Sequence, residues 1–187
     1  MNCISRILTQ EDAERILSTP KVIVEKGKML SSYVLDFAKS RDVRIWLSSS
    51  DNIDKDAEFL LRIRASEKMR VKISLHTQDN ETQMCVFRLD FNGATHKNPE
   101  YINEYVPEKF KPFTGKILSG NHVHYHVCGY KSAAWALPIE VDTFPVKELT
   151  EDNFSQELKD ILDALAVVIN LESKITLTSR MMFDGMD

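Results

Sequence analysis

The chain has 187 residues, 43% of them hydrophobic and 28% charged, with a formal net charge of −4 at pH 7; this is ordinary globular composition, enough for one packed domain. The acidic balance argues against broad electrostatic capture of nucleic acid or of an anionic membrane, while leaving room for a local basic patch. No apolar run approaches the roughly 20 residues that cross a bilayer, the first residues carry no secretory signal, and Cys3, Cys85 and Cys128 form neither a disulfide framework nor a metal knuckle, so a reduced cytoplasmic protein with no membrane partner is expected.

Along the chain, Thr9 is placed to cap a short helix over residues 10–17, Glu11 and Asp12 suit its positive end, and Pro20 stops it. A β-rich body follows. Residues 21–25 are short and branched, and Gly27 breaks them. Tyr33, Leu35 and Phe37 alternate with smaller or polar residues, and Val43, Ile45 and Leu47 repeat that pattern. Residues 48–56 are a polar connection. The strongest pattern is a run of three strands, near 57–65, 69–77 and 83–91, joined by short polar turns. Val71, Ile73 and Leu75 face one way; Arg70, Lys72, Ser74 and His76 face the other, as in an antiparallel meander with one wet face.

A long loop then runs from 92 to about 120, a length usually reserved for function or disorder. Two more strands, near 121–128 and 133–139, flank a Gly129-Tyr130 turn, with Pro138 marking an edge or an end. The last element is a helix from after Thr150 to about Asn170, with Phe154, Leu158, Ile161, Leu162, Leu165, Val168 and Ile169 in one apolar stripe. The expected fold is α+β: a mainly antiparallel β-sheet (meander) with an N-terminal helix and a long C-terminal helix packed on one face, one domain over 1–178 and a loose tail at 179–187. Met181, Met182 and Phe183 in that tail are candidates for docking.

Four of the five histidines lie between residues 96 and 126, three of them in alternation as His122-Val123-His124-Tyr125-His126. On a strand, side chains two apart share a face, so the three imidazoles line up opposite Val123 and Tyr125. By the same parity Arg88 and Asp90 oppose the apolar Cys85, Phe87, Leu89 and Phe91, while Ala134 and Ala136 oppose the bulky Trp135, Leu137 and Ile139. One sheet face then carries Arg88, Asp90, His122, His124 and His126 above small alanines, with His96 in the adjoining loop.

Three readings of this cluster stay open. In one, two or three of His122, His124, His126 and His96 bind zinc or another divalent metal, with Asp90 as a ligand or as the group that orients one. In another, the histidines act without metal as general acid and base for phosphodiester cleavage, with Arg88 stabilising the phosphorane charge. In the third, they are partly exposed residues that support structure or a protein-binding surface. Weaker features are the cation- and aromatic-rich segment 107–113, suited to stacking on nucleotides, a phosphate-contacting patch of Arg62, Arg64, Arg70 and Lys72, and Cys128 as a fourth ligand or nucleophile.

Taken together, Arg88-x-Asp90, His96-x-Asn98-Pro99, His122-x-His124, Gly129-Tyr130 and Trp135-Ala136 resemble an uncharacterised family of small bacterial proteins carried on prophages and other mobile elements. The similarity covers the stretch from Phe59 to Ile139. The same Arg-x-Asp followed by histidines and a later His-x-His looks faintly like the TumE toxins of bacterial toxin–antitoxin pairs. These resemblances imply mobile-element biology and a site at Arg88, Asp90, His96, His122 and His124.

The leading expectation is a nuclease-like, toxin-like hydrolase, metal-assisted or not, whose substrate is nucleic acid. Asp90 and His124 would orient or bind metal or water, His122 and His96 would serve as ligand or proton donor, and Arg88 would contact phosphate. The alternative is a non-catalytic phage or prophage protein that binds and blocks a host defence factor; the expected protein partner is a host protein or, for a toxin, an antitoxin. A third option is a regulatory partner that forms a homodimer through the helix over residues 150–170.

Overall fold

A computed structural model describes residues 8–51, 57–66, 68 and 71–178. Expectations placed on Cys3, residues 52–56, Met69, Arg70 and the tail at 179–187 lie outside the described residues.

Helix α1 (Gln10–Ser18) begins where the sequence places it. Thr9 Oγ1 accepts from Asp12 N at 3.0 Å, and the Asp12 carboxylate accepts from Thr9 N at 3.4 Å. This reciprocal cap satisfies two of the donors that a helix start leaves open. Strands β1 (Lys21–Glu25) and β2 (Lys28–Leu30) form a hairpin through Gly27, whose φ of +72° lies in the left-handed region. Next come β3 (Ser32–Leu35), β4 (Asp42–Ser49), β5 (Glu58–Ala65), β6 (Ile73–Asp79) and β7 (Cys85–Phe91). After the long loop, β10 (His122–Tyr125) and β11 (Trp135–Pro138) complete an eight-stranded sheet of order β11-β10-β7-β6-β5-β4-β1-β2, antiparallel throughout.

The sheet has one apolar and one polar face. Cross-strand partners carry the apolar side from Ile23 through Leu47 and Phe59, and through Ile63, Leu75, Leu89, Val123 and Leu137, all buried. Helix α2 (Phe154–Val168) adds Phe154, Leu158, Ile161, Leu162 and Leu165 to the same core. Each such side chain removed from water stabilises the fold by about 1.5–3 kcal/mol before entropy is counted. The fold class is as the sequence pattern indicates. No helix among the described residues is long and apolar enough to cross a membrane.

Two parts differ from expectation. Strand β12 (Lys174–Leu177) pairs in parallel with β3, in a stretch of the domain for which the sequence pattern names no element. The long loop is also structured. Within it β8 (His96–Lys97) pairs with β9 (Ile117–Leu118), and residues 108–113 form a 3-10 helix with Phe110 fully buried against Trp135 and Tyr125. That burial removes Phe110 from any nucleotide-stacking role.

The loop closes the β11 edge. Asn98 donates to Ala136 O and accepts from Ala136 N, both at 2.9 Å, so one side chain replaces a missing neighbour strand.

Candidate functional site

The site is built by register. Strand β10 lies between β7 and β11, with His122 opposite Asp90 and Pro138, and His124 opposite Arg88 and Ala136. Directly opposed residues share a face, so the five side chains aligned by sequence parity do meet, except for His126. A bulge in the β6–β7 pairing falls between Thr77 and Gln78, beyond Arg88, and leaves the parity of Arg88 and Asp90 intact.

Asp90, His122 and His124 are 4%, 2% and 3% exposed. Nε2 of His124 and Nε2 of His122 lie 3.2 and 3.5 Å from Asp90 Oδ2. Both Nδ1 atoms face backbone carbonyls, Gly120 O at 2.9 Å and Ala133 O at 3.1 Å. A carbonyl can only accept, so Nδ1–H donates in each case, and in the neutral ring Nε2 is left as a lone pair. Two lone-pair nitrogens and a carboxylate oxygen therefore face one another, with all three ligand atoms within 4.8 Å.

Acceptors so disposed repel unless a cation or added protons stand between them. Ligands 2.0–2.1 Å from a tetrahedral ion sit about 3.3 Å apart, close to the spacings seen between Asp90 and the two histidines. The group can hold a metal ion. Two imidazoles and a carboxylate suit a borderline divalent metal such as zinc and leave a coordination position free.

Arg88 completes the corner. Its Nη2 donates to Asp90 Oδ1 at 2.9 Å. Its Nε is 2.8 Å from Oδ2, yet that N–H is not aimed at the oxygen and stays a buried donor without a partner. Proximity makes an ion pair there, and the angle denies a second hydrogen bond. Burial raises the Asp90 carboxyl, but His122 and His124, in any form that carries a proton on Nε2, and the Arg88 charge outweigh it, holding the group well below the usual carboxylate range. Burial, only partly offset by Asp90, lowers His124.

Two sequence candidates sit elsewhere. His96 stands beside the group, its ring 4.7 Å from that of His124 and edge-on to it, with Nε2 donating to Ala134 O at 2.9 Å. It walls the site and lies outside the ligand group. His126 is a correction to the expected metal set. Strand β10 ends at Tyr125, so two-residue alternation stops, and His126 Nε2 pairs with Leu8 O at 2.9 Å beside the start of α1. Cys128 is also outside the group, its backbone N–H donating to Gln10 Oε1.

A groove of about 660 Å³ runs over the polar sheet face to this corner. Arg44, Arg62, Arg64, Lys72 and Arg88 line it, with Asp90 as its single carboxylate. Five cations gathered on a chain of net charge −4 make a local field opposite to the global one. Arg62, Arg64 and Lys72 of the basic patch noted in the sequence thus line the groove.

Two contributors were hidden in the sequence. His76, the fifth histidine, lies opposite Arg88 in the register and lines the groove. Burial and the Arg88 charge lower its pKa. Gly93 lets the loop after β7 press on the site: a Cβ there would lie 3.1 Å from Asp90 Cβ and 3.6 Å from His122 Cε1. Alternation puts His76 on the wet face of its strand but does not link it to the site; nothing local could have flagged Gly93.

No curated protein and no solved structure matches the chain. A family model described as a family of unknown function, DUF6978, matches residues 8–167 and so takes in every strand and side chain of the site. The chain belongs to this DUF6978 family.

Proposed function

We propose that the protein is a metal-assisted phosphodiester hydrolase of nuclease type, acting between a mobile genetic element and its host. The observation that carries this reading is the cationic groove that reaches Asp90, whose carboxylate is grouped with the buried imidazoles of His122 and His124, in an otherwise acidic chain. The mobile-element setting is supported by the motif order from Arg88 to Ala136 described above.

Asp90, His122 and His124 would hold the ion, zinc being the best fit to the donors. When bound, the ion supplies Lewis acidity toward a phosphoryl oxygen. Arg88, whose side chain is 37% exposed and lines the groove, meets charge as it develops on the phosphate. His76, across the strand pair from Arg88 and lowered in pKa by burial and by that charge, would accept a proton from an attacking water. His96 fixes the His124 ring from its edge.

The test is cleavage of a fluorophore-labelled oligonucleotide with zinc, manganese or magnesium present. EDTA should stop the reaction, and Asp90→Asn and His124→Ala should each lower the rate at least about a hundredfold. Absence of cleavage with all three ions, from wild-type protein shown to be folded, overturns the reading.

A second reading, a non-catalytic inhibitor of a host defence factor, draws on a different surface. Tyr101, Ile102 and Ile117 of the long loop are 64%, 50% and 69% exposed, the kind of apolar area that docks on another protein. It predicts a cellular phenotype that survives Asp90→Asn and is lost in Tyr101→Ala with Ile117→Ala.

A further inference from the structure

We infer that the groove takes single-stranded nucleic acid, laid across the sheet with a base on Trp46 and its phosphates along Arg44, Arg62 and Arg88; this rests on the hydrolase reading and narrows its substrate. Arg44, Arg62, His76, Arg88 and His124 occupy consecutive register positions on β4, β5, β6, β7 and β10. With neighbouring strands about 4.8 Å apart, the row spans about 19 Å. Like charges in direct cross-strand opposition are destabilising. Among them Arg62 is relieved by Asp42, with Nε donating to Oδ1 at 2.7 Å. Arg44 and Arg62 are the like-charged pair of this row, and its three guanidiniums suit a polyanion.

Trp46 supplies what a purely electrostatic groove lacks. It sits on β4 two residues from Arg44, on the same face, and pairs across the strands with Leu60, which lines the groove. Its side chain is 49% exposed in the middle of an eight-residue strand. An exposed indole beside arginines offers a stacking platform to an unpaired base; a duplex has none to offer, because its bases are already stacked.

Depth at the other end of the row argues the same way. The ligand atoms belong to residues no more than 4% exposed, so a phosphodiester has to bend inward past Arg88 to reach them. A flexible single strand can do this, whereas a stiff double helix rests on the rim.

Tryptophan fluorescence reads this directly. The chain has two tryptophans, and Trp135 is fully buried, so quenching by a base reports on Trp46. Full-length protein as purified is titrated with a phosphorothioate 12-mer, single-stranded or annealed to its complement. The single strand should quench saturably, bind at least tenfold tighter than the duplex, and weaken steeply with salt. By anisotropy of a labelled strand, Trp46→Leu should bind about tenfold more weakly, and Trp46→Phe should regain most of that loss. Equal or tighter duplex binding, or unchanged affinity in Trp46→Leu, overturns the single-strand inference and leaves the hydrolase reading standing. Failure of both oligonucleotides to bind overturns the two together.

Discussion

Nε2 of His124 stands 3.2 Å from Oδ2 of Asp90 with its own Nδ1–H committed to Ala133 O, so an acceptor is aimed at an acceptor inside the protein. A divalent cation would resolve that conflict and would bind only the folded arrangement. Ligand at a hundred times its Kd stabilises the native state by about 2.7 kcal/mol, which for a domain of this size raises Tm by about 5–10 °C. Thermal melts with and without zinc should show that rise in wild type and none in Asp90→Asn. An equal rise in both proteins would move the metal elsewhere.

The Gly93 position makes a finer claim about the same centre. A methyl group there would lie 3.1 Å from Asp90 Cβ, closer than such atoms settle, so the loop or the carboxylate has to shift. Gly93→Ala should fold with a stability loss of about 1 kcal/mol and bind zinc about tenfold more weakly, as displaced support for a metal ligand does. Calorimetric titration beside a urea melt separates the two effects. Unchanged zinc affinity would mean that the loop gives way and the carboxylate stays.

Most of the site was legible because two-residue alternation is a local property. Arg88 and Asp90 on one strand, and His122 and His124 on another, each declare a common face without reference to the rest of the chain. That β10 lies directly against β7, putting His122 opposite Asp90, is a pairing across the long loop, and no local pattern encodes it. The same reason hid the place of His76 and the union of β3 with β12. His126 was misassigned because alternation says nothing about where a strand stops. The arginines on β5 were visible, but a solvated face and a groove wall look alike until β4 and β7 are set beside them.

Lys21 ties two helix ends to the sheet. Its Nζ donates to Thr19 O at 2.6 Å, to Ile169 O at 2.8 Å and to Ile16 O, and the residue is wholly buried. These are carbonyls at the ends of α1 and α2, where helices leave acceptors open and carry partial negative charge. Lys21→Met should cost about 2–4 kcal/mol by leaving them unpaired.

The same residue gives stability a pH dependence. Burial lowers the Lys21 ammonium from 10.5 to about 7, so between those values the unfolded chain binds a proton that the folded chain has released. Stability therefore gains from this residue as pH rises from 7 to 9. Urea melts at both pH values should show the gain in wild type relative to Lys21→Met. A wild type that gains nothing over the variant would show that the carbonyls keep the amine charged.

Asn98 carries the last prediction, because it performs the work of a strand with one side chain. Its amide donates to Ala136 O and to Phe113 O, and its carbonyl accepts from Ala136 N, with the residue 1% exposed. Asn98→Ala strands three backbone groups in a place water reaches poorly, at about 1 kcal/mol or more for each. The expected loss is about 3 kcal/mol in a urea melt, large for a single polar residue on a loop. Asn98→Asp should recover the bond from Ala136 N but set a buried carboxylate oxygen against the carbonyls of Ala136 and Phe113, and so lose at least as much as Asn98→Ala. Because Ala136 pairs with His124, the β11 amides next to the site should exchange faster with deuterium in Asn98→Ala, while those of β4 and β5 stay protected. Uniform loss of protection across the whole sheet would mean that Asn98 holds the fold together and has no particular hold on the edge.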